Sequence, residues 1–83
     1  MNFTAQIKIM PLKELLDPQG KAVLGGLKHL NIPLIEDVRI GKHIVLQINA
    51  ENEAKAMEAA REASEKLLAN SVMETFEISL HQV

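Results

Sequence analysis

Every second residue from Phe3 to Ile9 is apolar: Phe3, Ala5, Ile7 and Ile9 alternate with Thr4, Gln6 and Lys8. Successive side chains of a strand point to opposite faces, so this run describes a strand with one face to bury and one to leave in water. The pattern returns in Ile44, Leu46 and Ile48, and again in Phe76, Ile78 and Leu80. A shorter run sets Val38 and Ile40 on one face with Asp37 and Arg39 on the other. One-sided strands call for a covering layer on their apolar side only.

Two segments can supply that layer. Asp17-Pro18 marks a helix start, because Asp accepts a bond from the free amides of a first turn and Pro loses no needed donor there. Val23, Leu27 and Leu30 follow at helical spacing, and Asn31 before Pro33 ends the run. Gly25 and Gly26 weaken this helix by about 1 kcal/mol each against Ala, which makes sense where another backbone comes close. Residues 51–69 are rich in alanine and free of Gly and Pro, with Met57, Ala60, Ser64 and Leu67 along one side. Glu51–Lys55 and Glu62–Lys66 are favourably ordered i,i+4 pairs. The expected order is β-α-β-β-α-β: an α+β fold in two layers, with two helices on one face of a mainly antiparallel sheet. Residues 1–83 are expected to form one domain. Gly41 and Lys42 read as a tight turn between the two middle strands, with a bulge or bend in one long strand as the alternative.

Burial is scarce in such a chain. It has 83 residues, and Phe3 and Phe76 are its only aromatic side chains. Rings normally supply much of a core's buried area. A four-stranded sheet also has two edges to cover or pair. A homodimer, or a dimer of dimers, is the expected remedy. The net charge of −2 gives no basic footprint for nucleic acid and no polybasic membrane patch. There is no cysteine for a disulfide or a thiolate, no signal-like start and no apolar run of membrane-spanning length. A cytoplasmic protein is expected.

Catalytic patterns are missing. Gly20-Lys21 suggests a phosphate loop, but Leu15 occupies the place of that motif's first glycine and Ala22 that of its hydroxyl residue. His29, His43 and His81 lack the spacing of metal ligands and read as surface residues. No serine or threonine stands in a recognisable nucleophile turn. The carboxylates of residues 51–65 read as a solvated helix face. An RNA-recognition sheet would stack bases on aromatics in its central strands, and residues 35–49 contain none. The residues alone therefore indicate a module that associates with itself or a partner. A regulatory domain that binds a small molecule beside Gly41 is the competing reading.

Three blocks narrow the choice: Leu16-Asp17-Pro18-Gln19-Gly20-Lys21-Ala22-Val23, then Val38-Arg39-Ile40-Gly41-Lys42, then Lys66-Leu67-Leu68-Ala69-Asn70. In order and spacing they resemble the PurS family, small subunits of phosphoribosylformylglycinamidine synthase in purine biosynthesis. The resemblance implies a noncatalytic assembly role beside a PurQ-type glutaminase, which releases ammonia from glutamine, and a PurL-type synthetase. The synthetase uses ATP and magnesium to convert formylglycinamide ribonucleotide to its amidine. No cofactor is expected on the small subunit itself. Under this resemblance Asp17, Pro18, Gln19 and Gly20, together with Arg39, Gly41 and Lys42, are candidates for the partner interface.

Overall fold

A computed structural model describes residues 1–83. The elements run β1 (Asn2–Pro11), α1 (Pro18–His29), β2 (Lys42–Asn49), α2 (Glu53–Ala63) and β3 (Glu74–Gln82). The alternating runs form the strands, and all pair antiparallel in the order β2-β1-β3. Phe3, Ala5, Ile7 and Ile9 stand on the covered face of the central strand, each 2% exposed or less. Ile44 and Ile78 flank Ile7 on that face, as Leu46 and Leu80 flank Ala5. The opposite face carries Thr4, Gln6 and Lys8 beside His43, Gln47, Glu77 and Ser79.

The α+β class and antiparallel sheet are as expected, but the fourth strand is absent. Residues 35–41 run without regular secondary structure into β2, so there is no hairpin at Gly41. Alternation gives this segment the pattern of a strand, but a strand also needs a partner edge, and this segment finds none in its own chain. No glycine has a positive φ, so Gly41 does not use the left-handed backbone that the glycine-demanding hairpin turns require.

The two helices also part company. α2 lies across all three strands and buries Ala56 and Ala60 on the sheet. Its small side chains let the helix approach β1 closely. α1 does not share that face, and Gly20 is its only buried residue. The layer of two helices on one face is thus half realised within the chain. The molecule is correspondingly elongated, 51 × 27 × 14 Å.

Both helix ends follow local chemistry. α1 stops at a Schellman arrangement: Asn31 takes φ 62°, its amide donates to Lys28, and the Ile32 amide donates to Leu27. Asn tolerates that left-handed backbone better than most residues. Asn52 caps α2 by accepting from the Lys55 amide, which leaves Glu51 outside the helix. Of the two expected ion pairs only Glu62–Lys66 forms, at 2.8 Å. It holds the Glu62 carboxyl below and the Lys66 ammonium above their usual ranges, chiefly through the hydrogen bond between them.

After Ala63 the helix widens into a π-turn, Ser64–Leu68, closed by the Ala69 amide on the Ser64 carbonyl at 2.9 Å. One extra residue per turn rotates everything that follows. Leu67, expected on the inner side, is 82% exposed, while Ala69 is buried and Leu68 packs against the core around Ile7 and Ile9. Ser64 lies fully buried at the start of this turn. Its hydroxyl donates to the Ala60 carbonyl, so it leaves no unpaired polar group in the core.

Candidate partner interface at one end of the sheet

The first two sequence blocks meet in space. Asp17 precedes α1 with Pro18 at the first helical position, and its Oδ1 accepts from the Gly20 amide at 2.9 Å. A cap uses only one carboxylate oxygen. The other, Oδ2, accepts from the Ile40 amide at 2.9 Å, across 23 residues of sequence. One side chain therefore starts the helix and ties the segment before β2 to it. These two amides, in that order, draw the Asp17 carboxyl below the usual carboxylate range; the Arg39 charge adds to them, and partial burial opposes.

The glycines explain how close the strands of this knot lie. A Cβ on Gly20 would run into the Val38 carbonyl oxygen and come within 2.6 Å of Asp17 Oδ2. A Cβ on Gly41 would run into the Ile9 carbonyl oxygen and Met10 Sδ. Both positions are tight backbone crossings, one against α1 and one against the end of β1. Gly20 thus serves close packing rather than phosphate binding. Gly25 and Gly26 differ: a Cβ there would meet nothing within 4 Å, so no backbone of this chain fills the space that sequence reasoning assigns to a neighbour.

The remaining candidates divide by exposure. Pro18 and Gln19 face solvent. Lys42 is exposed at the start of β2 and reaches Glu74 across the end of β1 at 3.7 Å, a weak surface pair. Arg39 is half-buried, and its Nη2 is shut off from solvent with no hydrogen-bond partner. A hollow of about 260 Å³ opens beside the knot, and its charged lining is Lys13, Glu14, Asp17, Lys21, Asp37 and Arg39. Cations and carboxylates balance there, so the hollow offers no strong field to a charged small molecule. It contains no nucleophile paired with a base. No group of three His, Cys, Asp or Glu side chains in the molecule is arranged to hold a metal ion.

The first two sequence blocks name residues that meet in the fold, but not the bond between them. The Asp17–Ile40 tie had one signal, the second oxygen of a capping carboxylate. Glu74 as partner to Lys42 had none, because strand register decides it.

Comparison with known proteins gives this knot its context. Residues 4–82 match the model of the family described as PurS, phosphoribosylformylglycinamidine (FGAM) synthase. The chain belongs to the PurS family. The PurS subunit of Bacillus subtilis is 40% identical over 81 residues, which cover 98% of this chain and 95% of the relative. Thermus thermophilus PurS superposes with a TM-score of 0.86 at 42% identity, covering 100% of this chain and 99% of that one. A chain in the structure of PurLQS from Thermotoga maritima superposes with a TM-score of 0.90 at 31% identity, covering 98% and 99%. Single-helix coverage of a three-stranded sheet is thus compatible with folds solved for PurS chains. No helix of this chain is long and apolar enough to cross a membrane.

Proposed function

We propose that this chain is a noncatalytic assembly subunit of a phosphoribosylformylglycinamidine synthase. It joins a PurL-type synthetase, which uses ATP and magnesium, to a PurQ-type glutaminase, and so helps ammonia pass between their sites without loss to water. It acts in the cytoplasm and binds no cofactor of its own. The observation that carries this reading is the near-complete superposition on a chain of PurLQS from Thermotoga maritima, TM-score 0.90 over 98% of this chain. The family match over residues 4–82 supports it independently.

The knot suits such a role. Its buried groups are committed to fixing backbone: Asp17 to two amides, Gly20 and Gly41 to two crossings. That leaves Pro18, Gln19 and Lys42 displayed on a rigid base, which limits the ordering cost of a contact. Arg39 brings a guanidinium with an unused donor to the same place. A planar fork of this kind fits a partner's carboxylate or backbone carbonyls.

Affinity capture from extract of the source cells, with the captured proteins identified by mass spectrometry, tests the reading. Recovery of the PurL-type and PurQ-type subunits together, in fixed ratio, is the expected result. Capture that recovers neither, with glutamine and ATP-magnesium supplied as well as without them, overturns it.

A further inference from the structure

The hollow beside the knot gathers charges of both signs that do not neutralise one another. Lys13 and Glu14 come from the connection after β1, Asp17 and Lys21 from the start of α1, and Asp37 and Arg39 from the segment before β2. The ion pairs of the chain, Lys42–Glu74 and Glu62–Lys66, both lie outside this set. Asp17 gives its two oxygens to the Gly20 and Ile40 amides. Arg39 Nη2 is shut off from solvent without an acceptor. A donor in that state is costly to keep and calls for a partner. Because Arg39 lines the hollow, a molecule seated there can offer its guanidinium one.

The walls are preformed. They are distant in sequence, yet the Asp17–Ile40 bond joins them across 23 residues, and Gly20 lies against the Val38 carbonyl. A ligand would therefore have little backbone left to order. The space, about 260 Å³, falls just below the ~300–1,000 Å³ of pockets for drug-sized ligands, so its occupant is small.

The charge balance selects the occupant's chemistry. An anion attracted by Lys13, Lys21 and Arg39 meets Glu14 and Asp37, and a cation meets the reverse. A small molecule that carries both signs satisfies both sets. We propose that the hollow binds a free α-amino acid as its zwitterion, with the carboxylate on the Arg39 guanidinium and the ammonium on Asp37 and Glu14. The planar guanidinium can hold a carboxylate through two parallel bonds, and carboxylate oxygens accept from an ammonium. A neutral side chain keeps the occupant matched to the balanced lining, and Leu15 and Leu16 on the same wall give its stem apolar contact. This inference stands apart from the assembly role, since its binding test uses this chain alone.

Backbone-amide NMR of the full chain, titrated with L-glutamine and with L-serine, tests it. Saturable shifts are expected at the Gly20, Arg39 and Ile40 amides, with a Kd on the order of 1 mM, as suits a ligand of few atoms. Two analogues divide the charges: glutaramate lacks the ammonium of glutamine, and 4-aminobutanamide lacks its carboxylate. Each should bind about tenfold more weakly or worse, because one set of charges in the hollow is left unmatched. Arg39→Gln and Asp37→Asn should each weaken glutamine to a similar degree, while Lys55→Gln on α2 leaves it unchanged. If either variant unfolds, the analogue series on the natural chain still decides. Shifts that rise linearly without saturation, or that sodium chloride or either analogue reproduces in full, mean only screening of surface charge and overturn the proposal. Silence with both amino acids, together with shifts at the same amides when a PurL-type subunit is added, assigns the hollow to a protein partner and overturns it as well.

Discussion

Gly20→Ala places two ordinary rules in opposition. Alanine is the better helix former by about 1 kcal/mol, and from sequence alone the substitution should stabilise α1. The structure reverses the sign. The new methyl group would strike the Val38 carbonyl oxygen and crowd the Asp17 carboxylate, and neither is the free end of a flexible side chain. Relief requires the segment before β2 to move off the helix, which breaks the Asp17–Ile40 bond. Overpacking of this kind costs about 1–3 kcal/mol, which leaves a net loss of up to about 2 kcal/mol after the propensity gain. For a domain of this size each kcal/mol shifts Tm by about 4–8 °C. Gly25→Ala is the matched comparison. It lies in the same helix, on the side away from the Val23–Leu30 stripe, and its methyl group meets open space. Propensity acts unopposed there, and a gain of about 1 kcal/mol is expected. Thermal unfolding followed by far-ultraviolet circular dichroism, at one protein concentration for all variants, reads both. If Gly20→Ala melts at or above wild type, the crossing is not as tight as described and the argument fails. If Gly25→Ala fails to melt higher, α1 is not free at that position.

Other expectations follow from the same contacts. The Asp17 carboxyl is held below its usual range by bonds that favour the charged form, so its stabilising contribution is complete above the unfolded pKa of about 4 and is lost as pH falls through the lower folded value. Asp17→Asn should therefore flatten the fall of Tm on acidification below about pH 4; an unchanged slope would mean other groups dominate. Gly41→Val should lower Tm further than Gly25→Ala raises it, since the Ile9 carbonyl and Met10 bar its side chain; equal and opposite shifts would contradict the crossing. Leu68→Ala should destabilise by about 1–2 kcal/mol and Leu67→Ala by under about 0.5 kcal/mol in denaturant titration, with the reverse order ruling out the π-turn register. Lys42→Glu combined with Arg39→Glu should lower glutamine-driven turnover of the reconstituted complex several-fold more than ammonium-driven turnover, and equal losses would remove this end of the sheet from the interface.

Much of the fold can be read from the residues because its signals are local. Alternation marks β1, β2 and β3, and Asp17-Pro18 and Asn31 mark the two ends of α1. The misreadings share a different cause. Residues 35–40 carry strand alternation, yet pairing is a tertiary event, and no edge of the same chain is offered to them. α1 has an amphipathic stripe, which says that it packs but not on which molecule. Leu67 sits where a regular helix would bury it, and a single π-turn, set by Ser64 and Ala69, moves it outward. At the candidate interface the residue types were legible because each block combines a capping or crossing function with an exposed polar group. Which of them are enclosed was not legible: Arg39 and Lys42 look equivalent in sequence, yet one is half-buried and the other exposed.

A bridging subunit couples two active sites without forming part of either. The measurement is the ratio of glutamine-driven to ammonium-driven amidine formation by the PurL-type and PurQ-type subunits, with and without this chain. Omission should abolish or sharply reduce the glutamine-driven rate, while high ammonium chloride restores turnover at least partly, so the ratio collapses. Equal loss of both rates would mean that the chain shapes the synthetase site itself, and the bridging account would be contradicted.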